Sequence, residues 1–346
     1  MRLLFFSDLH AHAWPQFSQR LGNGLNSRFQ DCLNIIDQVG EVAKEEKADA
    51  VWFLGDMYES RTKLDVDVFT ETWKRIRNLA QIVPLSILIG NHDEYAKADS
   101  IHSIEAFKDI PNVTVYDTPI LLTGCQEAKI AAFPHTTDIA GLKNNFSHMG
   151  QVDLVLIHQA LREGSIGPYG RTIAGELSIS ELPMDKCRYV FAGDYHSRQF
   201  IGPSNRVHYI GSPLQLKFSE VGELKAFTLL DTSDWSIKTI PTKAPRFFLF
   251  DTPSAAAAAI SAGEVDTGYD FIRIRYSKKS SAEAAEIKQN YPEVQLDQQT
   301  ENTAHARTGS SVVGSDVELL KEYAMQRNAA DAEELVSLGL ELLEGE

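Results

Sequence analysis

Five short motifs in the chain carry side chains able to hold metal ions: Asp8-x-His10, Gly55-Asp56, Gly90-Asn91-His92-Asp93, the isolated His158, and Gly193-Asp194-x-His196. Singly they mean little, because a Gly-Asp often marks only a turn and a lone histidine is commonly a satisfied core or surface residue. Together they form a set of carboxylate, carboxamide and imidazole donors that suits Mn²⁺, Fe²⁺, Zn²⁺ or a mixture. There are enough donors for two ions. Asp8, His10 and His196 are expected to hold one, Asn91, His158 and Asp194 the other, with Asp56 bridging. Two ions about 4 Å apart activate water and stabilise charge on a phosphoryl group under in-line attack. His92, beside a ligating asparagine, is well placed as a general acid. Asp93 is expected to belong with His92 to the catalytic pair, orienting His92 or its loop rather than binding metal.

Each motif closes an apolar run. LLFFSD, AVWFLGD, LSILIGNHD, VDLVLIH and CRYVFAGDYH read as buried strands stopped by polar residues. Phe29, Leu33, Ile36 and Val39 predict a helix over 28–39, and Phe69, Trp73, Ile76 and Leu79 another over 68–80. Strand–helix alternation predicts a layered α/β fold whose reactive groups gather at the C-terminal ends of strands. RVHYIGSPLQL and AFTLLDTSDWSIKTI are more strand-like, which favours two sheets covered by helices over one doubly wound sheet. Residues i and i+2 of a strand share a side, so Asp8 and His10, and likewise Asp194 and His196, converge if the backbone stays extended.

The first domain is expected to span 1–245. A small α+β unit follows over 246–296, with strands at 246–251 and 269–277 around an alanine-rich helix at 254–262. Residues 297–315, rich in Thr, Ser and Gly, read as a flexible linker. Helical spacing returns over 316–346, where Leu320 and Tyr323, then Leu335, Leu338 and Leu342, share faces. That tail holds nine acidic residues and two basic ones, so it reads as an acidic docking segment for a partner; the competing reading packs it on the chain's own core.

The whole chain of 346 residues carries 33 basic and 48 acidic side chains, a formal charge of −15. This argues against a nucleic-acid coat or a polybasic membrane binder. Three scattered cysteines cannot build a disulfide framework. No run approaches the roughly 18 apolar residues of a membrane span. MRLLFFSDLH meets Asp8 and His10 too soon for a signal peptide, so a reducing, cytoplasmic setting is expected.

As a set, DLH, GD, GNHD, His158 and GDYH resemble the five motifs of the calcineurin-like metallophosphoesterases, over roughly residues 1–220. The resemblance implies a four-layer α-β-β-α sandwich with a small α+β cap and C-terminal helices. It places Asp8, His10, Asp56, Asn91, His158 and His196 at metal positions, and gives His92 the contact to phosphate and the proton for the leaving oxygen. One departure matters: the family's last motif reads Gly-His-x-His, and Asp194 stands here in place of the first histidine. Its harder oxygen implies a second ion biased toward Mn²⁺ or Mg²⁺ over Zn²⁺.

VHYIGSPLQLKFSEVGELKAFTLLD (207–231) resembles the matching segment of SbcD-type DNA repair nucleases through Ile210-Gly211-Ser212-Pro213, Phe218, Glu220 and Lys225; His158-Gln159 also fits. This implies a manganese-dependent nuclease, trimming duplex ends 3′ to 5′ and nicking single strands and hairpins. It implies a homodimer, with helices 28–39 and 68–80 as candidate contacts, in a bacterial cell or phage-infected host. It also implies an SbcC-type ABC ATPase with a coiled coil as partner, docked by 316–346. The chain has no GxxxxGK[ST] loop, so ATP hydrolysis falls to that partner. Arg162, Arg171, Arg198 and Arg206 are candidate DNA phosphate contacts. Two alternatives stay open: a small-molecule or nucleotide phosphodiesterase, and an inactive docking adaptor.

Overall fold

The computed structural model describes residues 1–95, 101–122, 128–166, 171–172, 177–202 and 205–299. The segment expected to dock a partner, with Leu320, Tyr323, Leu335, Leu338 and Leu342, the part of the expected linker from 300 onward, and the side chain of Arg171 lie outside the described residues.

Two six-stranded sheets stack face to face. Across the first run β14 (Ser236–Pro241), β13 (Ala226–Asp231), β1 (Arg2–Phe6), β2 (Ala50–Phe53), β3 (Leu85–Leu88) and β4 (Val113–Tyr116). Across the second run β11 (Gln199–Ile201), β12 (Val207–Tyr209), β10 (Tyr189–Gly193), β7 (Leu154–His158), β6 (Ile130–Phe133) and β5 (Ile120–Leu122). A two-residue hairpin, β8 (Ser165–Ile166) and β9 (Arg171–Thr172), stands apart. The interior strands pair in parallel, β1 with β2 and β2 with β3 in one sheet, β6 with β7 and β7 with β10 in the other. Such strands are buried on both faces and so read as unbroken apolar runs.

The period-two alternation of strand side chains sorts them into layers. On β1, Leu3 and Phe5 point into the space between the sheets, while Leu4 and Phe6 pack under α1 (Ser27–Glu45) and α2 (Val66–Ala80). On β7, Leu154 and Leu156 face the other sheet, and Val155 and Ile157 face outward onto α3 (Ile139–His148). The order is therefore helices, sheet, sheet, helix, the expected four-layer sandwich. α1 starts where Asn26 accepts hydrogen bonds from the Arg28 and Phe29 amides, and buries Phe29, Leu33, Ile36 and Val39. Both predicted helices form, each longer than its apolar stripe.

Beyond β14, three parallel strands, β15 (Phe247–Phe250), β16 (Phe271–Tyr276) and β17 (Gln295–Gln298), alternate with α4 (Pro253–Ser261) and α5 (Ser281–Asn290). The sequence reading finds the first two strands and α4. It misses α5, and places the start of the linker inside the polar strand QLDQ, which ends at Gln298. This unit joins the sandwich through Phe17, Phe218, Phe247 and Phe271, whose rings pack together, with the Arg28 guanidinium 5.1 and 5.2 Å from the Phe247 and Phe271 ring centres.

Candidate metal centre

The loops leaving β1, β2, β3, β7 and β10 bring their polar ends to one place between the sheets. How they do so corrects the sequence reading. Asp8, His10, Asp56 and Asp194 have φ of 53°, 47°, 63° and 94°, so Asp8 and His10 do not converge along an extended strand. The left-handed backbone is held by pairing between loops: Asp8 N donates to Gly55 O at 2.9 Å, His10 N to Asp56 O at 3.0 Å, and Ala11 N to Met57 O at 2.8 Å. Non-glycine residues in this region store strain that the surrounding structure must over-determine, a condition concentrated at functional sites.

The glycines beside the ligands leave room for them. A Cβ on Gly90 would stand 2.2 Å from Asp56 Oδ1, and one on Gly193 would stand 2.6 Å from His158 Nδ1. Gly55 combines a φ of +99° with a Cβ position 2.4 Å from that same nitrogen.

One half of the centre is made by Asp8, His10 and His196. The Nε2 atoms of His10 and His196 face each other at 3.0 Å. Behind each ring stands a carboxylate: Glu59 Oε2 lies 2.7 Å from His10 Nδ1, and Glu220 Oε1 lies 3.0 Å from His196 Nδ1. Glu220 is itself held by Lys225 Nζ at 2.9 Å and the Leu216 amide at 3.0 Å. Burial opposes its charge, but His196 and Lys225 outweigh that and hold it at about 2. Carboxylates that take the Nδ1 protons leave both Nε2 lone pairs aimed at one point. Asp8 Oδ1 accepts from the Asp194 amide, while its buried Oδ2 has no donor.

The other half gathers Asp56, Asn91, His158 and Asp194. His158 Nδ1 donates to Leu54 O at 2.6 Å, so its Nε2 lone pair faces Asn91 Oδ1 at 3.0 Å, Asp56 Oδ1 at 3.4 Å and Asp194 Oδ1 at 4.0 Å. Asp56 Oδ2 lies 3.5 Å from His10 Nε2, so this carboxylate reaches both halves. Burial disfavours a charged His158, yet Asp56 and then Asp8 and Asp194 push its pKa well above the ordinary value. Lone pairs facing lone pairs in a buried pocket need a cation among them; a proton serves in the metal-free chain, and divalent ions fit the same donors. Among the described residues no thiolate joins the set: Cys32 and Cys187 are buried, and burial pushes their thiols up to about 12 and about 11. All seven predicted ligands meet here, in a hard-to-borderline O and N set.

His92 lies at the mouth. Its Nδ1 donates to Glu59 O at 2.8 Å, leaving Nε2 as its reactive nitrogen, and its side chain is 29% exposed. Asp93 does not contact substrate-accessible space. It is fully buried, with Oδ2 accepting from the Asp56 and Gly90 amides and Oδ1 from the Met57 amide, so it fixes the two loops that carry Asp56 and Asn91. Its place is structural rather than catalytic. Burial and the neighbouring Asp56 charge push its pKa up to about 7.

The arginine candidates fare differently. Arg198 is spent on the fold, donating to Thr228 Oγ1 at 2.5 Å and Thr239 Oγ1 at 3.0 Å. Arg206 donates to the carbonyls of Arg188 and Met184, both at 2.8 Å. Neither offers its fork to DNA. Arg162 is exposed on the turn after β7. Sequence reasoning misses Glu59, which has no partner legible by spacing. It includes Glu220 as part of a motif without showing that it braces His196.

The family model of calcineurin-like phosphoesterases matches residues 1–198, more than half of the chain. A component of the nuclease SbcCD of Staphylococcus saprophyticus, its SbcD chain, is 25% identical over 280 residues, covering 70% of this chain and 69% of that protein. A protein of Invertebrate iridescent virus 3, provisionally named a phosphoesterase, is 24% identical over 195 residues; the match covers 54% of this chain and about half, 53%, of that protein's length. Among solved structures, a dimetal phosphatase from Danio rerio is 7% identical, with a TM-score of 0.41 over 70% of this chain and 96% of the other.

Proposed function

The chain belongs to the calcineurin-like phosphoesterases and is a metal-dependent phosphoester hydrolase, and from that premise we propose that its substrate is DNA. In this reading it is a manganese-dependent nuclease acting on duplex ends, single strands and hairpins, and the nuclease component of an ATPase–nuclease complex in recombination or repair. The observation that carries the reading is the reach of one likeness. Similarity to a protein named as part of the nuclease SbcCD covers 70% of this chain, a larger share than the family match over residues 1–198. An SbcC-type ATPase partner, a homodimer and a cytoplasmic setting belong to the same proposal. Among the described residues no helix is long and apolar enough to cross a membrane.

Asp8, His10 and His196 would hold one divalent ion and Asn91, His158 and Asp194 the other, with Asp56 shared. Such ions, when bound, supply Lewis-acid activation of water and neutralise phosphate charge. The remaining work falls to the chain. His92 stands at the open side with Nδ1 tied to a carbonyl, so a proton on Nε2 is delivered to the leaving oxygen. Glu59 and Glu220 keep the His10 and His196 rings in one orientation. Asp93 keeps the Asp56 and Asn91 loops in register.

The test is a digestion time course of labelled duplex and hairpin DNA in Mn²⁺, Mg²⁺ and Zn²⁺, with a soluble bis-aryl phosphodiester alongside. Mn²⁺-dependent cleavage lost in His92→Ala and Asp56→Ala is expected. Rapid hydrolysis of the soluble ester with DNA left intact, even after adding the ATPase, would replace this reading by that of a small-molecule phosphodiesterase.

A further inference from the structure

Two cavities flank the metal centre, and they differ in charge. On the His158 side, the ring of His135 stands 6.4 Å from that of His158 and lines a cavity of about 290 Å³. Glu94, Asp117 and Asp138 line it too, and among the described residues no lysine or arginine does so. A phosphate would meet repulsion there. On the other side, a cavity of about 80 Å³ is walled by Asp194 and His196 themselves, together with Ser197, Lys217, Glu220 and Glu223.

The carboxylates of this second cavity are already answered. Glu220 holds His196 Nδ1 and Lys225 Nζ, while Glu223 accepts from Lys225 Nζ at 2.9 Å and from the Ser197 hydroxyl. Asp194 belongs to the metal donors. Lys217 is different: it is exposed, and among the described residues its ammonium has no acceptor. The backbone sets its direction. Lys217 is extended, with φ −152° and ψ 165°, so its side chain points away from those of Leu216 and Phe218. Leu216 packs into the core between the first sheet and its helices, and the Phe218 ring packs 5.4 and 4.8 Å from Phe17 and Phe247. Lys217 is thereby turned from the core toward the open side, on the wall it shares with Asp194 and His196.

We infer that Lys217 is a substrate-binding residue: its ammonium holds the phosphate of a nucleic-acid strand that neighbours the one being cleaved, and so leads the strand past His196 rather than past His158. The inference rests on the nuclease reading and deepens it, because an ester with one phosphate has no second one to offer Lys217. The cleaved phosphate has the metal donors and His92 for its charge, whereas the next one along needs a cation outside that set. A lysine suits that place, as a point charge on a flexible stem that can follow a mobile strand. Its signal in the sequence is the lone cation of SPLQLKFSE, just before Glu220.

The experiment compares wild type, Lys217→Gln, Lys217→Arg and Lys279→Gln on a short single-stranded oligonucleotide and on a soluble bis-aryl phosphodiester, with Mn²⁺ binding measured by calorimetry. Lys279 is an exposed lysine of the small unit, so its variant removes the same charge elsewhere. For Lys217→Gln, KM for the oligonucleotide is expected to rise about threefold to tenfold with little change in kcat. The slope of log(1/KM) against log salt should shrink by about 0.7, one phosphate's share on a single strand. Hydrolysis of the ester should stay at the wild-type rate, and Lys217→Arg should restore the oligonucleotide KM. A wild-type KM and salt slope in Lys217→Gln overturns the inference and leaves the nuclease reading standing. So does an equal rise in KM for Lys279→Gln, which marks a general effect of charge. An equal loss on both substrates with weaker Mn²⁺ binding also overturns it, since Lys217 would then act through the metal ligands. A wild-type protein that hydrolyses the ester but neither cleaves nor binds the oligonucleotide overturns the nuclease reading itself, and the inference with it.

Discussion

The two halves of the metal centre are built from similar donors but held by different means. In the His10–His196 half, both rings lean on carboxylates, Glu59 and Glu220, that lie outside the donor set and are carried by separate loops. In the His158 half, the ring leans on the Leu54 carbonyl, inside the sandwich, with Gly55 and Gly193 packed against it. A charged acceptor raises the basicity of the imidazole it holds more than a neutral carbonyl does. The first half is therefore tuned by side chains, and the second is tied to the backbone of the strands. The donors differ too. Two imidazoles dominate the first half, whereas Asn91, Asp56 and Asp194 make the second oxygen-rich. Two ions in this centre are expected to be unequal in affinity and in kind.

The strongest way to break this comparison is at the residue both halves share. Asp56 places Oδ2 near His10 and Oδ1 near His158. It also carries a charge that burial opposes and the imidazoles of His158, His10 and His92 sustain well below the usual carboxylate range. Asp56→Asn keeps the shape and removes the charge. Activity should fall about a thousandfold or more, the several kcal/mol that a bound metal contributes. Calorimetric titration with Mn²⁺ should show both binding events weakened. If only one event weakens, the halves are independent and Asp56 is not the bridge.

Glu220→Gln addresses one half only. It leaves a hydrogen-bonding group behind His196 but removes the charge, and it also unpairs the buried Lys225 from a carboxylate at 2.9 Å. A loss of about 10- to 100-fold in affinity for one of the two ions is expected, typical for a group that orients a metal-binding histidine. Raising Mn²⁺ should restore most activity. A thermal melt separates this from damage to the fold: a Tm near wild type with weakened metal binding supports the brace, and a collapsed Tm assigns Glu220 to folding instead.

How much of this is legible in the sequence follows from where the information sits. The β1, β2, β3, β7 and β10 runs announce themselves because strands buried on both faces need unbroken apolar residues, and the chemistry has to follow at their ends. The left-handed turns at Asp8 and His10 are not legible. They arise from amides paired to the loop after β2, some forty-five residues away. Arg198 and Arg206 are legible as cations, but their acceptors are hydroxyls and carbonyls brought close only by folding. The third strand of the small unit, QLDQ, is polar and carries neither the apolar nor the β-branched signal of a strand. Glu59 needs its distance from His10 to be seen at all.

The finest test of the comparison is Asp194→His, which gives the oxygen-rich half an imidazole. Asp194 stands farther from His158 than the other donors of that half: its approach to His158 Nε2 is 4.0 Å, against 3.0 Å for Asn91 and 3.4 Å for Asp56, and its side chain is 21% exposed. Burial, with the charges of Asp8 and Asp56, lifts its pKa against the pull of His158, so the carboxylate stands there at a cost that bound cations offset. Imidazole removes one negative charge and replaces a hard oxygen by a borderline nitrogen. The expected change is a shift in metal preference rather than a loss of function: Zn²⁺-supported activity rising several-fold relative to Mn²⁺, on the order of 1 kcal/mol between the two ions. The ratio of initial rates in the two metals, at saturating concentration and on one substrate, reads this directly. An unchanged ratio with full activity would mean that position 194 does not choose the metal, and that the asymmetry of the centre lies in the braces behind the histidines alone.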